Sequence, residues 1–185
     1  MTKQIEAIGL VEFNSIAIGI HACDEMVKVA PVLLVAAMTI CPGKYISVVG
    51  GEVSSVESSV KRGREVGADS VVDHLFIPNI HPQVFPAIMG TAAKINIRSL
   101  GIIETFSVAS AIVAGDGAAK AAKINLIELR LAQGLAGKSF VILTGDVSDV
   151  TAGVEAGVAL IRDTGMLVRQ VVIPSPHPDI RDRLV

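Results

Sequence analysis

The sequence predicts an α/β (α+β) protein made of two copies of one small domain, each with a mainly antiparallel four-stranded sheet flanked by helices. Two internal repeats carry this prediction. Residues 8–15, IGLVEFNS, return as LGIIETFS at residues 100–107. Residues 48–56, VVGGEVSSV, return as ILTGDVSDV at residues 142–150. Matching segments that recur in the same order are typical of a duplicated structural unit.

A third match completes the repeat and sets the domain boundaries. Residues 76–82, FIPNIHP, return as VIPSPHP at residues 172–178. The boundary between the two copies lies near the segment AAKINIRS at residues 92–99. We therefore place the first domain at residues 1–94 and the second at residues 95–185.

Each copy is predicted to contain the same elements in the order β-α-β-β-α-β. The first strand leads to a helix whose start is marked by Ser15 or Ser107, because a serine hydroxyl is suited to cap a helix. Short loops, a Gly-acid helix start and a proline-rich turn separate the later elements, and a short helix ends each copy. The predicted strands are residues 4–12, 32–40, 44–51, 70–77, 97–104, 124–132, 138–145 and 166–173, and the predicted second helices are residues 53–66 and 147–163.

The first helix of the first copy has an apolar stripe. Ile16, Ile20, Cys23 and Val27 follow one another at spacings of three or four residues. Such spacing places side chains on one face of a helix. We therefore expect this stripe to face the core, with Cys23 as a buried thiol.

Composition excludes several function classes. The chain has 185 residues, 51% of them hydrophobic, which is enough for a substantial core. Its net charge is −2, so no overall positive field attracts a nucleic-acid backbone. The absence of Trp and an aromatic content of 3% argue against base-stacking platforms. We expect no nucleic-acid partner.

The same reading argues against a membrane protein. The apolar run APVLLVAAMTI at residues 30–40 is about half of the roughly 20 residues that a spanning helix needs. Two cysteines do not form a disulfide framework, and MTKQIEAIGL does not have the pattern of a signal peptide. These features predict a protein of the reducing cytoplasm.

Motifs for catalysis and nucleotide binding are weak. Gly137-Lys138-Ser139 resembles the end of a phosphate-binding loop, but Ala132 stands where that pattern needs glycine, and a strand follows instead of a helix. His81 and His177 are equivalent in the two copies, which favours an architectural role. No acid–histidine–nucleophile order or metal-spaced cluster occurs within a copy, so we expect no enzyme activity.

Three motifs, present in both copies in the same order, carry a family resemblance. They are a D-x-x-x-K-x-A segment in the first helix, a loop followed by a G-(D/E)-V-S-x-V helix start, and IP-x-x-H after the last strand. Together they resemble the BMC domain of bacterial microcompartment shell proteins over nearly the whole chain. The tandem arrangement with TICPGK in the first copy is especially similar to the PduT type.

The resemblance implies a shell subunit and assigns roles to particular residues. Tandem members of the family form homotrimers shaped as pseudohexamers, which tile with other shell proteins into a microcompartment shell in the cytoplasm. The loop between the second and third strands would line a central pore: Cys41, Pro42 and Gly43 in the first copy, and Gln133, Gly134, Leu135, Ala136 and Gly137 in the second. The tile edge would include Lys28, Lys120, His81 and His177.

Cys41 is the candidate metal ligand. A threefold axis through the pore would bring together three Cys41 thiols, which can bind three corners of a 4Fe-4S cluster. The PduT type is held to bind such a cluster at this position, so the resemblance implies one 4Fe-4S cluster per trimer. Pro42 and Gly43 suit a sharp turn close to a crowded axis.

Two functions remain open at this point. In one, the cluster moves electrons across the shell, or is itself delivered, with an encapsulated or cytosolic redox enzyme as partner. In the other, the subunit is purely structural or passes small polar metabolites through a pore without metal, and Cys41 is incidental. On the lysines, a solvated Asp-to-Lys pair four residues apart on the first helix is the simpler alternative to an edge contact.

Overall fold

The structure of the protein is a computed structural model that describes residues 5–93 and 96–184. The predicted domain boundary between residues 94 and 95 lies outside the described residues. The first copy contains β1 (Ala7–Phe13), α1 (Ile16–Val29), β2 (Leu33–Ile40), β3 (Lys44–Gly51), α2 (Val53–Gly67), β4 (Val71–Ile77) and α3 (Val84–Met89). The second contains β5 (Ser99–Thr105), α4 (Val108–Ala121), β6 (Ile124–Arg130), β7 (Ser139–Gly145), α5 (Val147–Ile161), β8 (Leu167–Ile173) and α6 (Pro178–Arg181).

The two sheets have the same topology. Their strand orders are β2-β3-β1-β4 and β6-β7-β5-β8, and every pair of neighbours is antiparallel. β2 and β6 are edge strands, and each carries a bulge at the equivalent place, after Leu34 and after Leu126. The predicted fold, two four-stranded antiparallel sheets with flanking helices, is confirmed.

Both predicted helix caps are present. Ser15 accepts a hydrogen bond from the backbone N–H of Ile18, and Ser107 accepts one from Ser110. Each serine keeps the extended backbone of the strand before it. Its hydroxyl accepts a hydrogen bond from an N–H of the first helical turn that would otherwise have no partner.

In the first copy the helices α1 and α2 cover one face of the sheet. The core between these helices and the sheet includes Ala7, Val11, Phe13, Ala22, Cys23, Met26, Tyr45, Val49, Val56 and Val60. Gly9 permits the close packing, since a Cβ there would lie 2.3 Å from a methyl carbon of Val60. Its repeat equivalent, Gly101, would place a Cβ 2.7 Å from methyl carbons of Leu143 and Val154. The repeated glycines therefore allow a helix to approach the central strand.

The prediction for the apolar stripe of α1 is wrong except at Cys23. Ile16, Ile20 and Val27 are 41%, 53% and 37% exposed. The face that enters the core consists instead of Gly19, Ala22, Cys23 and Met26. Small residues occupy this face because the helix lies close to the sheet. A Cβ at Gly19 would lie 2.7 Å from the Tyr45 ring.

In the second copy α4 and α5 pack on their sheet in the same way. A Cβ at Gly157 would lie 2.4 Å from the backbone carbonyl oxygen of Ala114, so only glycine fits at this crossing. Unlike α1, α4 buries both its small residues and its larger ones, Val108 and Ile112 among them. The two first helices thus share a sequence pattern but differ in burial.

The chain divides into two compact units, and the division falls between Pro82 and Gln83. Helix α3 ends the first repeat in sequence but belongs to the second unit, where it contacts β6 and α4. Among the described residues, no helix is both long enough and apolar enough to cross a membrane.

β6 and α5 each end two residues before the predicted end. β6 ends at Arg130 rather than at residue 132, because Ala132 has φ 53° and cannot continue a strand. α5 ends at Ile161, and a 3₁₀ turn over Arg162–Thr164 replaces the predicted last helical residues.

Candidate functional site

The loop of the first copy consists of Cys41, Pro42 and Gly43 between β2 and β3. Cys41 is partly exposed and its thiol forms no disulfide. Gly43 has φ 68°, a conformation that favours glycine, and a Cβ there would meet nothing within 4 Å. The loop therefore carries a reachable thiol next to open space.

The loop of the second copy is longer and has no thiol. It runs through Gln133, Gly134, Leu135, Ala136 and Gly137, and Lys138 donates a backbone hydrogen bond to the carbonyl of Leu135 at 3.0 Å. Gly134, Ala136 and Gly137 all have positive φ, so the chain turns sharply at each. The two loops occupy equivalent places in the fold, but only the first offers a sulfur ligand.

An ion pair that the sequence reading missed supports each loop. At the start of β3, the Lys44 ammonium lies 2.6 Å from a carboxylate oxygen of Glu12 on β1. At the equivalent place Lys138 lies 2.9 Å from Glu104. The signal was available, because each acid and each lysine recurs in the repeat. Their pairing depends on which strands are neighbours, and residue spacing does not reveal that.

The two cysteines occupy different environments, as predicted. Cys23 is 6% exposed and lies in the core of the first unit. It lies close to Tyr45, where burial, with a smaller contribution from the Cys23 thiol, raises the pKa of the phenol above 10.0. Cys41 is thus the reachable thiol of the described chain.

Lys28 and Lys120 both pair with the aspartate one helical turn earlier. The Asp24–Lys28 pair is exposed, and its hydrogen bond raises the pKa of Lys28. The Asp116–Lys120 pair is 2.6 Å long and Asp116 is buried. The solvated-pair interpretation therefore fits the first copy but not the second; the edge role of both lysines stays a prediction.

The two predicted edge histidines are placed differently in their turns. His177 precedes α6, and its Nδ1 accepts a hydrogen bond from the backbone N–H of Asp179 at 3.3 Å. Its side chain is 70% exposed. His81 is half-buried in the turn before α3. An architectural role agrees with the position of His177 at the start of a helix.

A single chain cannot supply a complete metal site at these loops. Within residues 5–93 and 96–184, no group of three or more His, Cys, Asp or Glu side chains is placed to hold a metal ion. Cys41 itself suits an iron–sulfur ligand, since it is a thiol on a loop with open space beside Gly43. It fits such a group only if several chains contribute one thiol each.

A repeated β-α-β-β-α-β unit with a loop at equivalent places defines a class of protein, and comparison with protein families identifies it. The BMC domain model matches residues 7–80 and again residues 99–176. The chain therefore belongs to the BMC-domain family of bacterial microcompartment shell proteins, with the domain present twice in tandem.

Individual relatives agree with this membership. The chain is 41% identical to the bacterial microcompartment shell protein PduT of Citrobacter freundii, over 97% of this chain and 98% of that protein. It is 35% identical over 86 residues to the shell protein EutM of Salmonella typhimurium, which covers 46% of this chain and 88% of EutM. A crystal structure of a microcompartment protein from Desulfitobacterium hafniense superposes with a TM-score of 0.93 at 52% identity, covering 97% and 99% of the two chains.

Proposed function

We propose that the protein is a shell subunit of a bacterial microcompartment in the cytoplasm and forms a homotrimer with the outline of a hexamer. The supporting observation is the duplication: six equivalent domains in three chains match the sixfold arrangement that a sheet-forming tile needs. The similarity to PduT of Citrobacter freundii over nearly the full length of both proteins supports the same role. Other shell proteins are its neighbours in the shell.

The central pore of this trimer holds a 4Fe-4S cluster bound by three Cys41 thiolates. The observation that carries this part is that each chain offers one reachable thiol, on a loop whose equivalent in the second copy has none. A threefold axis then gathers three thiols rather than six. When bound, the cluster supplies reversible one-electron chemistry, which suits electron transfer across the shell or delivery of the cluster to a redox enzyme.

The protein's own contribution is to fix the loop. The Glu12–Lys44 pair anchors the first residue of β3, directly after Gly43, so this ion pair holds the strand from which the thiol and its turn extend. The open space at Gly43 allows close approach of neighbouring loops. The tile edge comprises Lys28, Lys120, His81 and His177.

The test is a metal analysis of protein purified without oxygen. We expect a brown protein with about four iron and four sulfide per trimer, and loss of both in Cys41→Ser. Cys23→Ala is the matched control, because it removes the buried thiol and should leave the iron content unchanged. A colourless wild type after cluster reconstitution, or full iron content in Cys41→Ser, would refute the cluster.

A second function, a metal-free pore for small polar metabolites, is favoured by one observation. Three thiols leave the fourth corner of a cluster without a cysteine, since the second loop carries none. In that case Cys41→Ala leaves trimer formation, shell incorporation and metabolite passage unchanged, and iron is absent from the wild type as well.

A further inference from the structure

Helix α3 is held against the edge strand β6 by one side chain that makes two hydrogen bonds. The Gln83 amide nitrogen donates to the carbonyl oxygen of Ile124 at 3.3 Å, and the Leu126 N–H donates to the Gln83 amide oxygen at 2.8 Å. The residue after Gln83, Val84, is fully buried, and Leu126 is 3% exposed. The edge of this sheet is therefore covered both by polar contacts and by apolar ones.

The equivalent edge strand of the first unit, β2, has the same backbone but is not covered in this way. Leu34 pairs with Val49 on β3 as Leu126 pairs with Leu143 on β7, and both are followed by a bulge. The segment that leads into each strand also has the same hydrogen bond. The backbone N–H groups of Val32 and Ile124 each donate to the carbonyl oxygen two residues earlier, at 2.9 Å. Yet Leu34 is 43% exposed.

The segment equivalent to α3 in the second copy, α6, is exposed as well. The repeat aligns HPQV with HPDI, so Asp179 matches Gln83, and Ile180 matches Val84. Ile180 is 51% exposed, whereas Val84 is 0% exposed. The chain thus has one matched pair that is buried, α3 with β6, and the two halves of a second pair, α6 and β2, each with an exposed apolar side chain.

Helix α1 shows the same difference. Helix α3 contacts α4 as well as β6, and Ile112 on α4 is fully buried. The equivalent residue on α1, Ile20, is 53% exposed. An occupant of β2 with the shape of α6 would reach α1 just as α3 reaches α4.

We propose that α6 of one chain docks on β2 and α1 of a second copy of this chain, repeating between chains the contact that α3 makes within the chain. The proposal rests on the trimer of the proposed function and names the residues that join its subunits. Such a contact is head-to-tail, since α6 and β2 belong to different units, and three of them close a ring. Asp179 accepts the Leu34 N–H, while Ile180 packs against Leu34.

The proposed α6–β2 contact differs from the α3–β6 contact in one side-chain atom. A glutamine amide both donates and accepts, as Gln83 does, but an ionised aspartate only accepts. Asp179 can therefore accept from the N–H of Leu34, the equivalent of Leu126. It cannot donate to the carbonyl of Val32, the equivalent of Ile124. Asp179→Gln restores the second bond and should shift trimer dissociation to higher urea concentration.

Native mass spectrometry of two variants, alone and mixed, tests the head-to-tail contact. Leu34→Asp spoils the β2 side and leaves α6 intact; Ile180→Asp spoils the α6 side and leaves β2 intact. Each variant alone should lose the trimer, because every junction contains one buried charge without a partner. An equimolar mixture should form a heterodimer with one intact junction and no trimer.

The outcomes separate this inference from the proposed function. A wild type that is not a trimer refutes the proposed assembly itself. A trimeric wild type with both variants still trimeric refutes the α6–β2 contact alone, as does a mixture without heterodimer. Far-UV circular dichroism of each variant must match the wild type; if either variant is unfolded, a later trimer dissociation in Asp179→Gln than in the wild type supports the contact, and an unchanged one overturns it.

Discussion

At the scale of single residues, the buried acid next to the cysteine loop decides how firmly that loop is held. The Glu12 side chain is 5% exposed, while its repeat equivalent Glu104 is 33% exposed, although each accepts from a lysine at the start of the next strand. A buried carboxylate without its partner is far less tolerable than an exposed one. The same pair should therefore matter much more in the first copy.

The matched substitutions Lys44→Met and Lys138→Met test this difference. Lys44→Met leaves a buried carboxylate unpaired and should lower the free energy of unfolding by about 2 kcal/mol, after allowance for the partial exposure of Lys44. Lys138→Met should cost about 0.5 kcal/mol, because solvent reaches Glu104. Urea denaturation measures both.

A double variant separates the pair from other effects of the lysine. Glu12→Gln combined with Lys44→Met removes the orphaned charge and should recover much of the stability that Lys44→Met loses. Equal losses for Lys44→Met and Lys138→Met would show that burial does not govern these pairs.

The environments of the two cysteines were predictable from the sequence, but the ion pair beside the Cys41 loop was not. Helical spacing and a repeat without a second cysteine distinguished Cys23 from Cys41, and the structure places them in the core and on the loop, respectively. The Glu12–Lys44 pair was not predicted, because its partners are on different strands and meet only through the β1–β3 register. The role of Cys41 as a ligand needs other chains, so one chain's sequence reaches it only through resemblance.

At the scale of elements, α1 and α2 are joined by a polar contact as well as by the core. The Arg62 guanidinium on α2 donates from Nε to the Glu25 carboxylate on α1 at 3.2 Å, and also from Nη2. This hydrogen bonding holds the pKa of Glu25 below its ordinary value of 4.5. The pair therefore stabilises the helix contact only while Glu25 is ionised.

The pH dependence of Arg62→Met tests this contact. Because the folded pKa of Glu25 is lowered, its contribution is complete above pH 4.5 and is lost as the pH falls through the lower folded value. The stability difference between wild type and Arg62→Met should be largest near neutral pH and shrink towards pH 3. Urea denaturation at several pH values measures it.

A charge control accompanies that experiment. Lys61→Met removes the same charge from the neighbouring position on α2 and should show a smaller, less pH-dependent loss. If the loss in Arg62→Met did not change with pH, the Glu25 pair would not be its source.

The order and type of the elements were predictable because each copy repeats the same punctuation: a capping serine, a short turn and a proline-rich end. The stripe Ile16, Ile20 and Val27 was misassigned for a physical reason. Spacing shows that side chains share a helix face, but it does not show whether that face meets the sheet or another chain. Here the small residues Gly19 and Ala22 face the sheet instead.

At the scale of the whole molecule, the repeat in sequence and the compact units in space are not divided at the same place. Helix α3 ends the first repeat, yet its Val84 and Phe85 are buried within the second unit. The sequence could not reveal that α3 packs in the second unit. Helix α6 begins with a similar sequence, yet its side chains are exposed where those of α3 are buried. Helix α3 therefore belongs to the first copy by sequence and to the second unit by its contacts.

This arrangement predicts that the second unit needs α3 to be stable. A fragment of residues 83–185 retains Gln83 with its bonds to β6, as well as the buried Val84 and Phe85; a fragment of residues 96–185 has none of them. Burial of these side chains, less the cost of ordering the segment, should make the longer fragment more stable by about 2 kcal/mol. Thermal and urea unfolding of both fragments measure the difference, with Val84→Ser in the longer fragment as the matched control that should lose most of it. Equal stability of the two fragments would show that α3 merely rests on β6.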